Sequence, residues 1–167
     1  MKKHRLLMLM FASATLLFAS CGKEAENSPS YDPPGTVYVH IQNDYKTKVK
    51  LWPDTEKDAP KLCIDDANNF ISSSYYTSGG RSWYTINFCD VGDVRGLGDI
   101  GVNSYSGRTD RAAVIPGHGY IADCVDGYNT GLLARLYVVD YIKNALGEII
   151  GAEVKYQSPW EWESENI

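Results

Sequence analysis

The chain has 167 residues, with 16 lysine and arginine residues against 21 aspartate and glutamate residues, which gives a net charge of −5. This length suits one domain with a single hydrophobic core. Because the balance is acidic and no basic stripe interrupts it, the composition argues against nucleic acid as a partner.

The first 21 residues have the layout of an export signal. Three basic residues precede an apolar run, Leu6 to Phe18, that is shorter than the ~20 residues of a membrane-spanning helix. Small residues then lead into Cys21, and this ending resembles the lipobox of bacterial lipoproteins. The resemblance implies a signal peptide over residues 1–20 and a lipid on Cys21. A plain cleaved signal and a membrane anchor are the two alternatives.

The residues after Cys21 are polar, charged and rich in helix breakers, so they predict a flexible tether over residues 21–34. The Lys23–Glu24 pair resembles the surface-export signals of Bacteroidetes lipoproteins. That resemblance implies a location in the outer membrane, held by the lipid and facing the medium at the cell surface.

From Gly35 onward the dominant pattern is the alternation of a β-strand and not the period of a helix. In the stretch 37–42, the residues at odd positions are apolar and face one way, while Tyr38, His40 and Gln42 face the other. Asn43–Tyr45 reads as a turn, and the alternation continues to Leu51. The pattern predicts a hairpin with one lysine-bearing face exposed to water.

The remaining alternating segments predict further strands, and no credible helix of ten or more residues follows the signal. The last pair is the strongest, because its first strand has apolar residues on both faces and should lie at the centre of a sheet. We therefore predict an all-β fold, a single antiparallel β-sandwich of roughly seven to nine strands over residues 35–157. A charged tail follows over residues 158–167. The predicted segments are Leu62–Ile64, Phe70–Tyr76, Trp83–Cys89, a hairpin of Ala112–Ile115 with Tyr120–Val125, and a final hairpin of Leu132–Ile142 with Glu148–Gln157.

Several segments of the second half resemble a small lipoprotein family of gut Bacteroides that is known only as a domain of unknown function. The resemblance covers about residues 35–160 and implies no activity and no functional residues. The segments are Asp90–Gly98, Pro116–Tyr120, Arg135–Ile142, Ile149–Ala152 and Val154–Pro159.

Three cysteines remain besides Cys21, namely Cys63, Cys89 and Cys124. An exported domain could hold one disulfide and one free thiol, or three buried thiols that behave as small apolar side chains. No C-x-x-C spacing is present, so the cysteines do not indicate a zinc site.

Two loop patterns resemble ligand sites but favour a structural explanation. Gly96–Gly101 matches G-x-G-x-x-G, yet the residues after it cannot open the helix that would hold a dinucleotide, so we expect a left-handed backbone there. Loop aspartates such as Asp65, Asp90 and Asp99 could bind Ca²⁺, although aspartates in turns more often bond to nearby backbone. We predict no metal and no cofactor.

Aromatic residues beside the Ser/Gly turn at 77–82 are the best indication of a ligand. Tyr75, Tyr76 and Trp83 could stack on a sugar or anchor a protein, or could instead fill the core. No catalytic motif is present, although Asp90 and His118 could serve an enzyme. The sequence favours a non-enzymatic binding module for a glycan or an envelope protein. The alternative is a small exported hydrolase or a calcium-dependent module that uses the loop 90–111.

Overall fold

The computed structural model describes residues 32–52, 60–73, 75–76, 83–101, 107–125 and 132–160. These residues form an all-β fold in which nine strands make two antiparallel sheets, as predicted. No helix within these ranges has the length and apolar character of a membrane span. The strands are β1 (Val37–Gln42), β2 (Lys61–Ile64), β3 (Asn69–Ser73), β4 (Tyr75–Tyr76), β5 (Trp83–Asp93), β6 (Arg111–Ala113), β7 (His118–Val125), β8 (Leu132–Lys143) and β9 (Ile149–Gln157).

The larger sheet has the order β1-β9-β8-β7-β5-β4, and the smaller has the order β2-β3-β6. The main core lies between the two sheets, where the inward residues of alternating strands meet. Its largest fully buried side chains include Trp52, Tyr120, Phe70 and Phe88, and the ring of Phe70 contacts both Phe88 and Tyr120.

A second apolar cluster covers the opposite face of the larger sheet. Leu97 begins a short 3₁₀ turn (Leu97–Asp99), and Ile100 directly follows that turn. Both side chains are buried against Cys89 and Ile121. Trp160 packs on this face, with the guanidinium carbon of Arg135 5.2 Å from the centre of its ring. The middle of the larger sheet is therefore covered on both sides, and the prediction of a central β8 is confirmed.

The predicted hairpin between residues 37 and 51 is wrong, although the alternation within β1 is confirmed. β1 pairs with β9, and the backbone N–H of Asn43 continues that ladder by donating to Ile150. The next residues cross to the other sheet, where Tyr45 N–H donates to Ile64 O and Val49 pairs with Leu62. The turn at residues 43–45 therefore links two sheets, and only tertiary packing distinguishes it from a hairpin turn.

The predicted hairpin around Pro116–Gly119 is wrong for the same reason. β6 pairs with β3 in the smaller sheet, whereas β7 pairs with β5 and β8 in the larger one. The final hairpin, β8 with β9, is confirmed. A shift in register between Val138 and Asp140 changes which face the later residues of β8 occupy, so Tyr141 packs against the main core and its hydroxyl donates to Val114 O at 2.8 Å.

Candidate functional site

The structure describes only part of the predicted site. Cys21 lies outside them, as do the side chains of Tyr75, Tyr76 and Trp83. The backbone of the three aromatic residues is described, and it pairs Tyr76 with Trp83 at the β4 edge of the larger sheet. Lipidation of Cys21 and ligand binding by the three aromatics therefore stay predictions.

The opposite edge of the same sheet carries an exposed group of three side chains, which we call the β1–β9 surface. It consists of Tyr38 and His40 of β1 with Glu153 of β9, and the register places His40 directly opposite Glu153. The Tyr38 hydroxyl donates to one carboxylate oxygen of Glu153, and His40 Nε2 lies 3.5 Å from the other. The rings of Tyr38 and His40 meet edge to face with their centres 5.4 Å apart.

Strand alternation accounts for this grouping. Val39 and Ile41 turn towards the core, so Tyr38 and His40 must lie on the outer face, and Glu153 lies between the buried Ala152 and Val154 of β9. Tyr38 remains 48% exposed, and the side chain of His40 is 59% exposed.

The contact with Glu153 also makes the Tyr38 phenol harder to deprotonate. Because its hydroxyl donates to Glu153, and because partial desolvation and the negative charge of Glu153 add to this effect, the pKa of Tyr38 is raised above its usual value of 10.0. The phenol therefore stays protonated at neutral pH. The surface presents a flat ring, an imidazole and a carboxylate on a rigid strand pair, which is the chemistry that recognises sugar rings and hydroxyls.

The segment that leads into β1 is held beside this surface. Lys155 of β9 forms an ion pair with Asp32 at 2.6 Å, and both side chains are about one-third exposed. The side-chain amide of Gln157 donates to Pro34 O at 3.1 Å. These contacts attach the chain just before β1 to the outer face of β9.

A second group of polar side chains lies where β5 ends and β7 begins, and we call it the His118 cluster. It consists of Asp90, Asp93 and His118. His118 Nδ1 lies 3.0 Å and 3.1 Å from the two carboxylate oxygens of Asp90, and its Nε2 lies 3.7 Å from Asp93 Oδ1. The sequence pointed to Asp90 and His118 separately. Their contact depends on the pairing of β5 with β7, which places Asp93 opposite His118.

The bulge in β5 shapes this cluster. The ladder shifts register between Asp90 and Gly92, where Gly92 has a φ of 81° and its N–H donates to Asp90 Oδ1 at 2.8 Å. The result is an imidazole whose Nδ1 is fixed by a carboxylate, which is two-thirds of a catalytic triad. Among the described residues, no hydroxyl or thiol hydrogen-bonds to His118. A triad would therefore need a nucleophile from elsewhere, such as a water molecule.

Two of the aspartates considered for Ca²⁺, Asp65 and Asp99, bond instead to their own loops. Asp65 accepts from two backbone N–H groups of the β2–β3 turn, at 3.1 Å and 2.8 Å. Asp99 accepts from the backbone and the guanidinium of Arg95, and these bonds lower the pKa of Asp99. Within the described ranges, no group of three or more histidines, cysteines or acids could hold a metal ion.

The Gly96–Gly101 stretch packs against the sheet, and the expectation of a left-handed backbone there is wrong. Gly96 has a φ of 165°, which is extended, and the left-handed glycines nearby are Gly92 and Gly107. The close approach occurs at Gly119 of β7, where a Cβ atom would lie 2.8 Å from Ile100 Cγ1. The glycine that matters to this loop therefore lies outside the motif, on the strand that the loop covers.

Cys63, Cys89 and Cys124 form no disulfide with one another, and all three are buried. Cys89 belongs to the cluster on the outer face of the larger sheet and Cys124 to the main core, so the sheet itself separates them. Burial raises the pKa of the Cys63 thiol. The structure favours the alternative in which the thiols behave as small apolar side chains.

Comparison with known proteins adds no assignment. No protein-family model matches the chain, and no curated protein and no solved structure matches it either.

Proposed function

We propose that the protein is a lipid-anchored, non-enzymatic binding module of the cell surface, and that the β1–β9 surface binds a glycan. In this proposal Cys21 carries the lipid in the outer membrane, and the tether of residues 21–34, whose end at Asp32 and Pro34 contacts β9, holds the β-sandwich away from the bilayer. The signal-like leader, which resembles a lipobox, supports the anchor. The exposed Tyr38, fixed by Glu153 beside His40, supports the glycan.

The choice of a glycan as the ligand rests on the exposed and oriented ring of Tyr38. The aromatic ring of Tyr38 leaves apolar surface in contact with water, which is unfavourable. The bond from its hydroxyl to Glu153 limits the rotamers that the side chain can adopt before a ligand binds. A ring that is already oriented loses less side-chain entropy on binding. The C–H face of a sugar can stack on such a ring, while Glu153 and His40 accept or donate hydrogen bonds at the sugar hydroxyls.

The test is a glycan array with the detergent-solubilised full chain, followed by titration of any sugar that binds. Tyr38→Ala should weaken binding at least about tenfold, which corresponds to ~1.4 kcal/mol. Tyr45→Ala is the matched control, because Tyr45 is 50% exposed but lies outside the β1–β9 surface. Equal losses in the two variants, or a ligand that binds both as tightly as the unaltered chain, would remove this surface from the proposal.

The anchor has its own test. Mass spectrometry of the membrane fraction should show acyl chains on Cys21, and Cys21→Ser should release the protein from the membrane. An unmodified Cys21 would refute the lipid anchor and would leave the glycan proposal unaffected. An envelope protein is the other partner that the sequence suggests, and a pull-down with the Tyr38→Ala chain as control would identify one that uses the same surface.

The second candidate function is a small exported hydrolase, and the Asp90–His118 contact is the observation that favours it. Here His118 would take a proton from water, with Asp90 holding the imidazole in place. Hydrolysis of a panel of esters and glycosides should then be lost in His118→Ala and kept in His40→Ala. A calcium-dependent module at the loop 90–111 is the other form of this alternative, and calorimetric titration with Ca²⁺ tests it directly.

A further inference from the structure

β1 is an edge strand with one side open. Among the described residues it pairs only with β9. Since Asn43 N–H donates to Ile150 O in the same register, the residues of β1 that bond to β9 are Val37, Val39 and Ile41. The backbone N–H and C=O groups of the alternate residues therefore point away from the sheet. Those residues are Tyr38, His40 and Gln42.

This edge lacks the usual protection against pairing. Natural edge strands are kept short, or carry lysine, proline or a bulge. β1 has six residues, none of which is lysine or proline, and its pairing with β9 is unbroken. By contrast, β4 and β6, which also end their sheets, have two and three residues. Four of the six residues of β1 are exposed, so the described fold leaves the strand accessible.

We propose that β1 pairs antiparallel with β1 of a second copy of the chain, about a two-fold axis at His40. Tyr38 would then lie opposite Gln42 of the other copy, and the two His40 residues would face each other. Each of these opposite pairs exchanges two backbone hydrogen bonds, so the contact forms about six. The two larger sheets become one continuous sheet.

The lack of charge on β1 allows a second copy of this acidic chain to be its partner. The chain carries a net charge of −5, yet β1 has no aspartate, glutamate, lysine or arginine, so two copies can meet there without like charges in contact. The nearest acid opposite β1, Glu153, is already bonded to Tyr38 and close to His40. Pairing would also cover Val37 and Tyr38, which are 41% and 48% exposed, and both are large apolar side chains.

The dimer would place two β1–β9 surfaces side by side across the axis. A ligand with repeated units could then contact both, which would raise its avidity without any new contact within one copy. The self-association does not depend on glycan binding. Loss of either one can be measured without the other.

Disulfide trapping in membranes tests the pairing in the full, anchored chain. Opposite residues that share hydrogen bonds have Cα atoms about 5.5 Å apart, which a disulfide can span. His40→Cys should therefore give a covalent dimer on mild oxidation. Tyr45→Cys, at an equally exposed position off the strand, is the control. Cys63, Cys89 and Cys124 are buried, and a lipid thioether at Cys21 leaves no thiol to oxidise, so the native cysteines should not contribute. Equal dimer yields in the two variants would overturn the proposal.

Two substitutions at one position separate the backbone from the side chain. His40→Ala keeps the outward N–H, whereas His40→Pro removes it without breaking a bond to β9. Sedimentation of the detergent-solubilised chain should show a dimer for His40→Ala and a monomer for His40→Pro. Urea unfolding of both variants confirms that the strand remains folded. A dimer that survives in His40→Pro, or an unaltered chain that stays monomeric at the highest concentration reached, would refute edge pairing.

Discussion

Gly151 of β9 offers the sharpest test of how β1 is attached to the sheet. A Cβ atom at this position would lie 2.3 Å from Ile41 O and 2.9 Å from Gln42 Cα, both of which are backbone atoms. Contacts of a Cβ atom below 3.0 Å essentially do not occur, so Gly151→Ala forces β1 to move by about 0.7 Å. The adjacent bond from Asn43 N–H to Ile150 O, now 3.0 Å long, would stretch beyond hydrogen-bond range.

The energy of this change can be built from its parts. A crowded site costs ~1–3 kcal/mol, and each weakened hydrogen bond costs ~0.5–1.5 kcal/mol. Replacing glycine by alanine within a strand normally raises the free energy of unfolding by ~0.5–1 kcal/mol, which offsets part of this loss. We therefore expect Gly151→Ala to lower the free energy of unfolding by about 2 kcal/mol.

The assay is urea unfolding followed by tryptophan fluorescence, for which Trp52 is a suitable probe because it is only 2% exposed. Gly101→Ala is the matched control, since a Cβ atom there meets nothing within 4 Å and the backbone is not left-handed. It should change the free energy of unfolding by less than ~0.5 kcal/mol. If Gly151→Ala unfolds at the same urea concentration as Gly101→Ala, β1 does not approach β9 as described.

Three further predictions concern buried or ionised groups. Tyr120→Phe should lower the free energy of unfolding by ~1–3 kcal/mol in urea, because the buried Tyr120 hydroxyl donates to the backbone O of Ala113 at 2.7 Å and accepts from the backbone N–H of Ile115 at 3.0 Å. Asp99→Asn should lower the urea midpoint at pH 7 but have less effect near pH 2. The pKa of Asp99 is held below its usual 3.8, so its carboxylate stabilises the fold fully above that pH and loses this contribution as the pH falls through the folded-state value. A thiol reagent at about pH 8 should label Cys63, Cys89 and Cys124 only after unfolding, since all three are buried and form no disulfide.

A specific result would contradict each of these three predictions. An unchanged midpoint in Tyr120→Phe would mean that water satisfies the backbone groups left behind. An Asp99→Asn defect that is equal at both pH values would mean that packing, and not charge, explains the loss. In the Cys21→Ser chain, which contains only these three thiols, rapid labelling before unfolding would show that one of them is accessible, and fewer than three thiols after unfolding would reveal a disulfide.

The all-β class could be predicted because it depends on local information. The alternation in β1 and in the β8–β9 pair follows directly from which residues are buried, and the turn at Asn144–Gly147 connects strands that are neighbours in the chain. Which distant strand lies beside β1 could not be predicted, because its partner β9 comes from the other end of the fold. Hydrophobic pattern fixes the face of a strand but not its neighbour.

The errors share this cause. The turns at Asn43–Tyr45 and Pro116–Gly119 have the residues of hairpin turns, yet each connects one sheet to the other. The bulge near Val138 also has no local signal, so the face that Tyr141 occupies does not follow from the alternation of β8 alone. A bulge of this kind follows from the pairing of two strands and cannot be seen in either strand alone.

The candidate sites show the same division. The sequence indicated that aromatic residues would form a binding site. Ligand binding by Tyr75, Tyr76 and Trp83 stays a prediction. The sequence assigned Tyr38 to the outer face of β1 but could not bring it to Glu153, since that contact requires the pairing of β1 with β9. The link between Asp90 and His118 likewise needed the register of β5 and β7.

The pairing of β1 with β9 also constrains the order of events when the chain folds. The first strand has no partner in its own sheet until the last one has been synthesised, so the larger sheet cannot close early. A chain with this connectivity completes its larger sheet only when its final strand becomes available. During that interval the backbone groups of β1 are open to pairing with strands of other chains.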